Sequence, residues 1–162
     1  MHTETAETGV RQVTPLPGTG DVSTLGRIDY EDAFVVALRA PTILSAEQWM
    51  RRILEGAPTA VRLQLLSGWS ALGLKVSLTN SDRSVLGWPI RASDPDLILL
   101  GAESRVGMPG ELLLRREDDG LLFATFARHD NPWVRALWAR VVPGHVRTVR
   151  MLLERVRRSA PG

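Results

Sequence analysis

NPWVRALWARVVPGHVRTVRMLLERVRR, residues 131–158, is the stretch from which the architecture follows. Asn131 is a helix-capping residue and Pro132 takes the first helical position, where its missing N–H costs nothing. Val134, Leu137, Trp138, Val141, Val142, Val149, Leu152, Leu153 and Val156 then keep one apolar face for about seven turns. Pro143 removes a backbone donor, which predicts a kink near the middle. A helix this long with one dry side must lie across something wide.

Upstream residues supply that surface. Val85–Ile90, Asp96–Glu103, Glu111–Arg116 and Leu121–His129 read as strands bounded by turn residues, and Asp118-Asp119-Gly120 predicts a tight hairpin between the last two. Further back, Tyr30, Phe34, Val36 and Leu38 alternate with Glu31, Val35, Ala37 and Arg39 in a half-buried strand ending at Pro41. Ser45-Ala46-Glu47-Gln48 is a capping-box start, followed by Trp49, Met50, Ile53 and Leu54 at helical spacing. Pro58-Thr59 opens a second helix with Val61, Leu65, Leu66, Trp69 and Leu72 on one side and Gly73 as its stop. The order strand, two helices, several antiparallel strands, long helix predicts an α+β fold, an antiparallel sheet with the C-terminal helix packed across it. Residues 27–158 form the expected domain. Residues 1–26, rich in Gly, Pro and Thr, read as a poorly ordered leader or a strap laid on the surface.

Composition narrows the function classes. Without cysteine, disulfides and thiolate chemistry are excluded. No basic and apolar start marks a signal peptide, and no apolar run is long enough for a membrane span, so a cytoplasmic protein is expected. The isoelectric point of about 9.9 suggests nucleic acid at first sight. Yet Lys75 is the only lysine and Tyr30 the only tyrosine, so a net charge of +2 persists over a wide alkaline range for want of titratable groups. No nucleic-acid partner is expected. Gly18-x-Gly20 follows no strand and has Ser23 in the third glycine position, so it is not a dinucleotide fingerprint. A Gly-x-Ser-x-Gly elbow, a His-Glu-x-x-His pair and a Walker lysine loop are all missing. No cofactor and no metal is expected.

The order of elements resembles the helix-grip fold of the START-like (SRPBCC) superfamily, which includes birch-pollen allergen proteins and bacterial polyketide cyclases. The nearest likeness is to an uncharacterised bacterial family of that superfamily. It is carried by Asp29-Tyr30, Leu99-Leu100-Gly101, Arg128-His129-Asp130-Asn131 and Pro143-Gly144-His145, in order between residues 28 and 158. The family tends to place acidic and histidine residues after the strand-end glycine, where this chain has Ala102-Glu103-Ser104-Arg105, and an aromatic residue where this chain has Gly144. The resemblance implies a cavity between sheet and last helix, suited to a hydrophobic or aromatic small molecule.

Candidate site residues follow. Trp88 and Trp138 belong to elements that the helix-grip arrangement sets face to face, although core packing is the commoner use of indole. His145, just past the proline, either satisfies a freed carbonyl or meets a ligand. Glu103 and Arg105 share parity along a strand, either as a solvated pair or at a cavity mouth, where the guanidinium would recognise a carboxylate or phenolate. Tyr30 completes the set. His129, His145 and Glu103 have no spacing that demands a metal. The leading expectation is a binding protein for a small hydrophobic molecule. A cyclase or dehydratase using an isolated His145 or Glu103 base is one alternative. An interaction module using the arginines of the last helix is another, and self-association into a homodimer is left open.

Overall fold

The computed structural model describes residues 9–79 and 81–160. Seven strands form one antiparallel sheet: β1 (Val10–Val13), β2 (Tyr30–Ala37), β3 (Ser84–Val85), β4 (Trp88–Asp94), β5 (Leu97–Ala102), β6 (Gly110–Glu117) and β7 (Gly120–Ala127). Their spatial order is β1-β2-β7-β6-β5-β4-β3. The helices α1 (Ala46–Leu54) and α2 (Thr59–Ala71) lie between β2 and β3 in the chain, and α3 (Pro132–Ser159) follows β7. This is the α+β arrangement expected, with the long C-terminal helix packed on the sheet.

Local signals placed the helices correctly. Ser45 Oγ accepts from Gln48 N–H at 3.1 Å while Gln48 Oε1 accepts from Ser45 N–H at 2.8 Å, a reciprocal capping box. Asn131 Oδ1 accepts from Val134 N–H at 3.0 Å at the start of α3. That helix runs unbroken through Pro143 for 28 residues. Pro143 offers no N–H, so the Ala139 carbonyl loses its usual helical donor there.

The sheet is apolar on both faces. Phe34, Val36, Leu100, Leu114, Leu121 and Phe123 point to the helices. Their neighbours Ala33, Leu99, Leu113, Leu122, Ala124 and Phe126 point the other way and are equally buried. Every residue of β7 is buried. Strands covered on both sides read as continuous apolar runs, which explains Leu97-Ile98-Leu99-Leu100 and Leu112-Leu113-Leu114.

The stretch before β2 covers the second face. Residues 1–8 of the expected leader lie outside the described residues; residues 9–26 are not a loose leader. Val10–Val13 pair with β2 as an edge strand, a 3-10 helix follows at Thr19–Val22, and Leu25 packs beneath the sheet with 3% exposure. The tie is electrostatic. Glu111, fully buried in β6, accepts from the Ser23 hydroxyl, from Thr24 N–H at 3.0 Å, from Thr24 Oγ1 at 2.8 Å and from Arg91 at 3.3 Å. Arg128 donates to the Leu25 carbonyl at 2.7 Å. Composition left a poorly ordered leader and a surface strap as alternatives because these hydroxyls look solvent-directed until their buried acceptor is known.

A second difference is the expected strand Val85–Ile90. It is two strands, reversed at Leu86-Gly87, both with positive φ (45° and 86°). Leucine is a poor residue for this primed turn. Here its side chain is buried and its N–H donates to Glu55 Oε2 at 3.1 Å, which offsets the strain.

Replacing Glu111 with Gln should cost about 3 kcal/mol of stability, because Arg91 and two hydroxyls lose a buried charged acceptor. Denaturant unfolding measures the loss, and hydrogen exchange should show residues 20–26 losing protection first.

Candidate functional site

Helix α2 stands over the sheet without entering the core: none of its thirteen residues is fully buried. Between it, α3 and the strands lies a cavity of about 300 Å³. Leu65 and Trp69 of α2 form one wall, Trp138, Val141 and His145 of α3 another, and Trp88, Leu112, Thr125 and Ala127 the floor. Trp69 and Trp88 meet edge to face, with ring centroids 5.4 Å apart. Glycines keep the space open. A Cβ on Gly68 or Gly144 would meet nothing within 4 Å, and one on Gly110 would make only ordinary contacts.

One end of the cavity is polar. On β2, Tyr30, Asp32, Phe34 and Val36 share one parity, so Asp32 projects from the helix-facing side of the sheet with 3% exposure. Its Oδ2 accepts from the Tyr30 hydroxyl at 2.6 Å and pairs with His145 Nε2 at 2.9 Å. Trp138 packs against both partners, with centroids 5.2 Å from Tyr30 and 5.1 Å from His145, which are themselves 6.2 Å apart. Asp32 also stands directly opposite Thr125 on β7. Asp32 Oδ1, Thr125 Oγ1 and the indole nitrogens of Trp88 and Trp138 are all enclosed with no hydrogen-bond partner. Four such atoms around one site are conspicuous, since buried polar atoms are nearly always paired.

The structure therefore brings together Tyr30, Trp88, Trp138 and His145 of the expected set, with Tyr30 just behind the cavity wall. Glu103 and Arg105 are not part of it. Strand β5 ends at Ala102, and the parity that sends Ile98, Leu100 and Ala102 to the helices sends Glu103 to the opposite face. There it pairs with Arg91 at 3.2 Å, largely in solvent. Arg105 is exposed beyond the strand, its N–H bonded to the Gly73 carbonyl.

His145 is not an isolated base, and its imidazole serves Asp32 rather than a freed carbonyl. Asp32 escaped the sequence reading although the signal was present: a carboxylate two residues from Tyr30 and two from Phe34, at a core-facing position. Trp49, by contrast, is plain core, its indole N–H on Thr42 at 2.9 Å. The arginines of α3 are partly engaged. Arg150 donates to the Val10 carbonyl and Arg157 to Glu154. Among the described residues no group of three His, Asp or Glu is placed to hold a metal, and no helix is long and apolar enough to cross a membrane.

Elsewhere at the strand ends, His129 is buried and its imidazole is held below the usual histidine range, chiefly by desolvation. The His129 backbone N–H donates to Asp29 Oδ2 at 2.8 Å, and this bond, with Arg27, lowers the Asp29 carboxyl.

Burial first, and the bond to Asp32 second, push the Tyr30 phenol well above its usual range. The folded state thus holds this proton more tightly than the unfolded state. Its stabilisation is intact below the unfolded pKa of about 10 and is lost as pH rises past it. Because Tyr30 is the only tyrosine, an alkaline titration of the phenolate absorbance reads it alone. Ionisation should coincide with unfolding in the native sequence and should move to lower pH in Asp32→Asn.

Comparison with family models, with curated proteins and with solved structures finds no match to this chain.

Proposed function

We propose that this protein binds a small, mostly apolar or aromatic molecule in the cavity between α2, α3 and the sheet. The observation that carries the reading is an open space of about 300 Å³ walled by three indoles and aliphatic side chains, with few polar side chains among them and the Asp32–His145 pair beside it. Binding sites for small molecules have this composition: apolar walls for affinity, a few placed polar atoms for orientation. The volume lies at the small end of the usual range, which suits a compact ligand such as a bicyclic aromatic. The likeness to helix-grip proteins of the START-like superfamily supports the same reading, since it implies a cavity in this place.

Trp69, Trp88 and Trp138 line the space, so occupancy should change the intrinsic fluorescence. Titration with the bicyclic ketone β-tetralone should give a saturable change. Gly144→Leu places a side chain where only open space exists, and should weaken binding at least about tenfold while helix propensity improves by roughly 0.8 kcal/mol. No saturable change, together with no co-purified small molecule in native mass spectrometry, would overturn the reading.

A further inference from the structure

Binding alone gives no role to the pair at the polar end of the cavity. Asp32 and His145 come from β2 and α3, are 113 positions apart in sequence, and meet at 2.9 Å with the carboxylate 3% exposed. With Asp32 Oδ2 accepting from Nε2–H, the neutral imidazole keeps its lone pair on Nδ1. That atom has no hydrogen-bond partner among the described residues and is not among the enclosed atoms. His145 itself lines the cavity. A carboxylate fixing the orientation and tautomer of an imidazole whose other nitrogen is free is the arrangement of a general base.

We propose that His145 removes a proton from the molecule held in the cavity, and that Asp32 is the residue positioning it; the proposal rests on the cavity reading above. The substrate class follows from the walls. Of the hydroxyls that line the space, Thr125 Oγ1 is enclosed and Thr148 Oγ1 donates to the Gly144 carbonyl at 2.9 Å, and no Ser, Cys or Lys side chain lines it as a nucleophile. The remaining walls are mainly indole and aliphatic, which suits an apolar molecule. An imidazole removes a carbon-bound proton only where a neighbouring carbonyl takes up the electron pair, which fits an apolar carbonyl compound with a C–H bond next to its carbonyl.

In the step, the C–H bond breaks and a bond forms between the proton and His145 Nδ1. The electron pair left behind passes into the carbonyl, giving an enolate. The imidazolium is then paired with the Asp32 carboxylate. Returning the proton to the same carbon gives exchange with solvent-derived hydrogen; returning it to a conjugated carbon moves a double bond. Neither outcome consumes an oxidant, a reductant or a second substrate.

Hydrogen–deuterium exchange at the α-carbon of β-tetralone in deuterium oxide, followed by proton NMR, tests the step, with binding measured in parallel by tryptophan fluorescence. The protein should accelerate exchange, and excess tetralin, the hydrocarbon analogue without the carbonyl, should suppress it. His145→Gln should lose on the order of 100-fold of the acceleration. Asp32→Asn should lower the saturated rate about tenfold while leaving half-saturation unchanged, a split that a merely structural Asp32 would not produce. Binding with exchange no faster than in His145→Gln overturns the base and leaves the cavity reading standing. Exchange that tetralin does not suppress also overturns it, without recourse to any variant. Absence of binding, together with no co-purified small molecule in native mass spectrometry, overturns both.

Discussion

A sheet that is apolar on both faces has to be covered twice, and the rest of this structure answers that constraint. Leu99, Leu113 and Phe126 on one side and Leu100, Leu114 and Phe123 on the other are all withdrawn from water. Each fully buried side chain of this size stabilises the fold by roughly 1.5–3 kcal/mol, so neither face can be left open. The helices take one face. The opposite face falls to a polar, turn-rich stretch that could not form a core of its own. Glu111 is what makes that stretch adhere, because its buried carboxylate needs donors and residues 23 and 24 bring three of them.

The helix-facing side is covered unevenly. Helix α1 buries Trp49, Met50, Ile53 and Leu54 against the strands, and the C-terminal half of α3 buries Val149, Leu152, Leu153 and Val156. Toward the other end of α3, Val134 and Trp138 pack with Met108 and Ala127 in a smaller cluster, a cavity opens beside it, and polar groups from β2 and β7 reach the interior. The cavity and the Asp32–His145 pair occupy that thinner end. Apolar surroundings strengthen the pairing, since a low local dielectric raises the worth of every charge-assisted bond it contains.

Much of this was legible from residues alone, and the difference between what was and what was not is physical. Ser45, Asn131 and Asp118-Asp119 act on their immediate neighbours, so a local reading finds them. The length of α3 and its apolar stripe are likewise written in one segment. Three features depend instead on residues far apart in the chain. The strap on the second face needs Glu111, some 87 positions from Thr24. The Leu86-Gly87 reversal is tolerable only because Leu86 is buried and Glu55 accepts its N–H. The site needs Asp32 to meet His145 across the fold. Glu103 failed for the opposite reason: its strand stopped one residue too soon, and its parity aimed it at the wrong face.

Helix α2 carries an implication for how the molecule opens. A segment of thirteen residues is too short to hold helical order by its own backbone bonds in water, so it relies on what it rests upon. Beneath it lies space where other helices have packed side chains. The least costly local unfolding therefore lifts α2 away and leaves the sheet, α1 and α3 assembled. Access to the interior then requires no disruption of the strands, and whatever fills the space becomes part of the support that keeps this helix in place.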